Sequence, residues 1–162
     1  MFVFDSSTII LLTKTEILDI LFDNYEGDVA ITKEVERETT IKKTFDALFI
    51  KKRVEEGKIK VREVQNKQTE QLMKEFNINR GEAESIVLAL REKNSILGTD
   101  DKNAINACKL LHISYTTAIG ILIRAREKNL LAKQEAIKKL NELSGFGRYR
   151  KEIIDDAEKK VM

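Results

Sequence analysis

The spacing of apolar positions changes repeatedly along this chain. "FVF" at 2–4 reads as a short buried strand, and "STIILLTK" runs on from it as the start of a helix. "TEILDILFDNY" at 15–25 puts Ile17, Leu18, Leu21 and Phe22 on one helical face, with Thr15 in the N-cap position. "GDVAIT" at 27–32 predicts a turn and a second strand. Thr32 then caps a helix that opens with "TKEVERETT", and helical spacing persists through Ile41, Phe45, Leu48 and Phe49 until Gly57 stops it. "KIKVREV" at 58–64 alternates with period two, as a strand nearer a sheet edge does.

The second half repeats the alternation. A short helix is expected at 67–78 and a strong one at 79–94, with Ala83, Ile86, Val87 and Leu90 on one face. "SILGTDD" at 95–101 is an apolar strand closing on two carboxylates. A helix at 102–113 buries Ala104, Ala107, Cys108 and Leu111, and "SYTT" at 114–117 is a brief strand and cap. Three helical runs follow near 117–129, 132–144 and 149–160. Strands alternating with helices predict an α/β domain: a three-layer α/β/α sandwich around a short, mainly parallel sheet of four to five strands. The length of 162 residues, 42% of them hydrophobic, suits one such domain with a real core. No repeat, low-complexity stretch or linker interrupts it. "SGFGRYR" at 144–150 is the best candidate hinge, dividing a domain at 1–145 from a C-terminal helical extension at 146–162 packed on or near it.

Composition narrows the function classes. There are 29 Lys+Arg against 27 Asp+Glu, and the net charge of +2 gives no global field toward nucleic acid or membrane. Any such binding must come from a local patch. The single cysteine makes no disulfide framework and points to a reducing compartment. No stretch has the length of a membrane span. The N-terminal apolar run meets Asp5 too early for a signal peptide and lacks a basic leader. An intracellular, cytoplasmic protein without a membrane partner is the expectation. No G-x-x-x-x-G-K-[ST] or G-x-G-x-x-G occurs, so nucleotide-binding P-loop and Rossmann readings fail. His112, the only histidine, sits where a helix ends and a cation suits the dipole. Cys108 falls on the apolar face of the same helix and reads as core.

The candidate chemistry lies in the acids. In parallel α/β sheets functional groups gather at the carboxyl ends of strands, near a topological switch point. Asp5 follows the first strand and Asp100-Asp101 the fourth. Glu82 opens one helix, and Glu34, Glu36 and Glu38 lie early in another. A carboxylate behind a buried strand is costly unless compensated. Four such regions brought together would make an oxygen-only nest suited to a hard divalent cation, and Mg²⁺ or Mn²⁺ there could activate water and stabilise a phosphoryl transition state.

The ordered set "VFDSS", "VERE", "GEAESIVLA", "GTDDKNAINAC", followed by "TTAIGILIRAREKNLL", resembles the PIN-domain family over about residues 1 to 145. The resemblance implies a metal-dependent ribonuclease fold with acids clustered in one groove. Asp5 matches the family's first acid. Glu38 completes V-x-x-E from Val35, without the proline that often precedes that pattern. Glu82 follows Gly81 where the family carries an acid followed by alanine. The last acid stays open between Asp101, chosen by T-x-D from Thr99, and Asp100, the first of the pair. The implied ligands of Mg²⁺ or Mn²⁺ are Asp5, Glu82, Asp100 and Asp101, with Glu38 catalytic and Ser6 and Thr99 supporting. The expected substrate is RNA, with Arg148, Arg150 and Lys151 as candidate phosphate contacts. Many relatives are toxins of toxin–antitoxin pairs, so an antitoxin partner and a homodimer are further expectations.

Each acid also has a local structural reading. Glu82 can complete a capping box with Asn79, Asp101 can cap the helix from Lys102, Asp5 can cap the helix near Ser7, and Glu34 and Glu38 can pair with Lys42. A nucleic-acid-binding module that keeps the fold but cleaves little is the competing function. A haloacid-dehalogenase-type phosphatase needs D-x-D, and Asp5-Ser6-Ser7 lacks the second aspartate.

Overall fold

Five short strands form one sheet in a computed structural model that describes residues 1–162. They are β1 (Phe2–Phe4), β2 (Val29–Thr32), β3 (Lys60–Arg62), β4 (Ile96–Gly98) and β5 (Tyr115–Thr116), in the order β3-β2-β1-β4-β5. Every neighbouring pair is parallel. Parallel neighbours need crossovers, and helices supply them. α1 (Ser6–Lys14) and α2 (Ile17–Asn24) join β1 to β2, while α3 (Lys33–Thr40) and α4 (Phe45–Glu55) join β2 to β3. α5 (Asn66–Phe76) and α6 (Arg80–Arg91) lead to β4, and α7 (Lys102–Leu110) leads to β5. α8 (Ala118–Glu127), α9 (Lys133–Phe146) and α10 (Lys151–Val161) complete the chain.

The period of two along the strands builds the three layers. Phe4, Val29 and Ile31 enter the larger core with side chains from α1, α2, α4, α8, α9 and α10. Val3, Ala30 and Leu97 point the other way, into a core closed by α5, α6 and α7. β1 and β4 approach closely, with Phe4 beside Gly98 in the register. A Cβ on Gly98 would stand 2.2 Å from Phe4 Cδ1, so only glycine leaves room for the ring.

Several helix boundaries differ from the sequence expectation. Thr15 ends α1 instead of starting a helix: its N–H bonds Leu11 O, Glu16 takes a left-handed backbone with φ 60°, and α2 begins at Ile17. The buried Lys139 of α9 donates Nζ–H to Thr15 O at 2.8 Å, satisfying that helix end from across the core. The long helix expected through 57 is two helices. Thr39 and Thr40 turn their hydroxyls back onto Val35 O and Glu36 O, and the chain breaks at 41–44. Ile41, Phe45 and Leu48 keep helical spacing but face solvent, as does Leu90. Likewise α9 runs through Phe146, so the first three residues of the candidate hinge are helical. α10 packs on α8 and α9 and buries Ala157 and Val161 in the larger core.

β2 and β3 lie to one side of β1, and β4 and β5 to the other. The strand order therefore reverses between β1 and β4, and a crevice opens beyond their carboxyl ends. No helix is long and apolar enough to cross a membrane.

Candidate functional site

Asp5 leaves β1 at that switch point. Its backbone is extended, its Oδ1 accepts Thr8 N–H at 3.0 Å, and it N-caps α1. Its other oxygen accepts the hydroxyl of Thr99, the residue after β4. The side chain is 1% exposed. Burial drives its pKa up to about 6, with a smaller push from Asp100, against hydrogen bonds from Thr99 and Thr8 that pull it down.

Glu82 lies in the first turn of α6. The capping box with Asn79 is present: Asn79 Oδ1 accepts Glu82 N–H, and Glu82 Oε2 accepts Asn79 N–H at 3.0 Å. Glu82 Oε1 is left without a partner. Its pKa is pushed up to about 7, by burial first and then by the charges of Asp101, Asp5 and Glu38. The capping box and the charges of Asp101, Asp5 and Glu38 therefore act on the same carboxylate.

Glu38, in the last turn of α3, accepts the Ser6 hydroxyl on Oε2. Burial raises its pKa, and Glu34 adds to the rise. Glu34 is committed to Arg37 instead, so neither glutamate pairs with Lys42. Gly81 makes the room Glu38 needs, since a Cβ there would stand 2.9 Å from Glu38 Oε1.

The two adjacent aspartates divide. Asp101 N-caps α7, accepting Ala104 N–H on Oδ2 at 2.9 Å, which leaves Oδ1 open. Asp100 accepts the Thr8 hydroxyl at 2.8 Å, the Tyr149 hydroxyl at 2.9 Å, and the Ala118 N–H at the start of α8. Both its oxygens are engaged, and it ties α1, α8 and the C-terminal strap together. Open oxygens thus remain on Glu38, Glu82 and Asp101.

None of these five acids is in an ion pair. Hard oxygens, the raised pKa values of Asp5, Glu38 and Glu82, and no countercharge form a donor set that fits a divalent cation. No three of them close on one point as a ready cage.

Beside the acids runs an open groove of about 930 Å³, lined by Glu82, Asp100 and Asp101 and by Lys14, Lys102, Lys109, Arg148 and Arg150. None of those five cations is in an ion pair. Arg148 and Arg150 line the groove as the sequence suggested, whereas Lys151, the first residue of α10, does not. Ser6 sits on Glu38 and Thr99 on Asp5. Sequence reasoning missed Lys14, at the end of α1, and Lys102 and Lys109, at the two ends of α7, which form no run. It also missed Thr8 and Tyr149 as partners of Asp100, which no local pattern marks.

A family model described as the PIN domain matches residues 1–161. No curated protein matches the chain.

Proposed function

The chain belongs to the PIN-domain family, and from that premise we propose that it is a divalent-metal-dependent endoribonuclease hydrolysing RNA phosphodiester bonds. The fold is of nuclease type, and PIN domains typically use divalent metals. The observation that carries the reading is the juxtaposition of five unpaired acids with a groove lined by five unpaired cations. A polyanion is drawn by the cations, while the acids exclude its phosphates until a metal neutralises them.

Glu38, Glu82 and Asp101 would hold Mg²⁺ or Mn²⁺ through their open oxygens, and Asp5 would join them by giving up a hydrogen bond from Thr8 or Thr99. Asp100 ties α1, which Asp5 caps, to the start of α8 and to Tyr149. The ion, once bound, supplies water activation and charge stabilisation at the phosphoryl group. The chain's own residues do the rest. Thr8 and Thr99 fix Asp5 in place, and Ser6 fixes Glu38. Lys14, Lys102, Lys109, Arg148 and Arg150 seat the phosphates flanking the scissile one. Glu82, with its pKa pushed up to about 7, is partly protonated near neutrality in the ion-free protein and would lose that proton to a bound cation.

The test is cleavage of a mixed RNA pool and a matched DNA pool by the wild type and Asp5→Asn, with Mg²⁺, Mn²⁺ or chelator. Cuts in RNA that need metal and vanish in Asp5→Asn support the reading. Equal cutting by both proteins, or no metal-dependent cutting of RNA, rejects it.

A further inference from the structure

The α3–α4 corner exposes three large apolar side chains within eight positions: Ile41, in the break between the helices, is 69% exposed, and Phe45 and Leu48, in the first turn of α4, are 75% and 58% exposed. Around them stand Lys42, Lys43, Lys51 and Lys52, all exposed and none in an ion pair. From Ile41 to Arg53 the only acid is Asp46. Arg53 itself is committed to Asp19 and Glu56. This patch is strongly basic on a chain that is almost neutral overall.

Its place in the fold connects it to the acids. Glu38 lies three residues before Ile41, on the helix that leaves the carboxyl end of β2. α4 then descends to the start of β3, so its first residue, Phe45, stands at the same end of the sheet as Asp5. The strand order places β2 on one side of β1 and β4 with β5 on the other. The α3–α4 corner and the groove of Arg148 and Arg150 therefore flank the acids from opposite sides. Phe45 is backed by Phe49, with ring centroids 6.4 Å apart, which leaves its outer surface free.

We propose that this corner is a second substrate subsite, in which single-stranded RNA crossing the acids lays a base on Phe45 and its phosphates on Lys42 and Lys43. The inference rests on the ribonuclease reading and adds a place for the substrate outside the groove of Arg148 and Arg150. An exposed aromatic among unpaired lysines is the arrangement that holds single strands, since every base has a face to stack and every nucleotide a phosphate. A duplex keeps its bases paired and offers none to Phe45.

The experiment measures binding of a short fluorescein-labelled single-stranded RNA, and of the same RNA as a duplex, by anisotropy in Mg²⁺. All proteins are full length and carry Asp5→Asn so that the probe survives. Phe45→Ala is expected to weaken single-strand binding about tenfold, with Phe45→Trp restoring it. Duplex binding should be unchanged by either. Lys42→Ala with Lys43→Ala should lower the salt slope of single-strand binding by about 1.4. Phe45 is on the surface, so these variants keep the fold, which thermal melting checks. Single-strand binding indifferent to Phe45 but lost with Arg148→Ala and Arg150→Ala overturns the subsite and leaves the nuclease reading standing. Phe45→Ala that spares RNA but abolishes capture of an acidic amphipathic peptide assigns the corner to a protein partner and also overturns it. No binding of any RNA, with no cleavage by the protein carrying Asp5, overturns both.

Discussion

Tyr149 donates its hydroxyl to Asp100 Oδ1 at 2.9 Å, joining the strap before the last helix to the acid beyond β4. Burial and the Asp100 charge hold the phenol well above its usual pKa, so it stays a donor throughout the working range. Thr8 and Ala118 complete the shell around the same carboxylate. Tyr149→Phe leaves that carboxylate short of one donor while keeping the ring's packing. The expected cost is about 1.5–3 kcal/mol, the range for a hydrogen bond to a charged group, read as a lower urea midpoint. An unchanged midpoint would mean that the strap is not held by this bond.

The pH dependence of the ion-free protein follows from Asp5 and Glu82. Both bind a proton more tightly folded than unfolded, Asp5 at about 6 and Glu82 at about 7. The folded state therefore holds more protons between about pH 4 and 7, and stability falls as pH rises through that window. For the buried Asp5 the penalty above pH 6 is about 3 kcal/mol. Asp5→Asn should remove it, raising the melting temperature at pH 7.5 and leaving it nearly unchanged at pH 4. Melting curves in chelator across that range check this. A wild type that gains stability from pH 4 to 7 would contradict it.

Much of this site was legible because its acids sit where local rules also act. Asp5, Asp101 and the pair Asn79–Glu82 each cap a helix, and each cap aims a carboxylate at the switch point. The sheet was legible from apolar runs too short to be helices. What failed were places where local spacing and burial part company. Ile41, Phe45 and Leu48 repeat like a core stripe but face solvent. Thr15 is a good N-cap residue that instead ends a helix, because Lys139 reaches its carbonyl from 124 residues away. Tyr149 and the groove lysines depend on contacts between distant segments, which no window of sequence contains.

Gly81 is tested by adding one methyl group. The new Cβ of Gly81→Ala would meet Glu38 Oε1 at 2.9 Å, and the carboxylate, at the end of a flexible side chain, would yield. Helix propensity improves by up to about 1 kcal/mol, so the fold should be as stable or slightly more so. Displacing one acid by a fraction of an ångström should nevertheless cut metal-dependent cleavage about tenfold or more. Full activity in Gly81→Ala would show that the place of Glu38 does not matter.

Arg148 and Arg150 should act through phosphates and not through bases. Replacing both with Ala is expected to weaken RNA binding evenly across sequences and to lower the salt slope by about 1.4. Anisotropy titrations at several salt concentrations measure this. A change in sequence preference with an unchanged slope would argue for base contacts.

A divalent cation is expected to compensate the unpaired acids. Calorimetric titration of Mn²⁺ into the wild type, Asp5→Asn and Glu82→Gln at pH 6.5, in two buffers of different ionisation enthalpy, measures this. The expected result is Mn²⁺ binding by the wild type with release of protons, because Asp5 and Glu82 are partly protonated at that pH. Each variant should bind about tenfold more weakly or worse and release fewer protons. Equal Mn²⁺ affinity in all three proteins, or binding without proton release, would contradict this expectation.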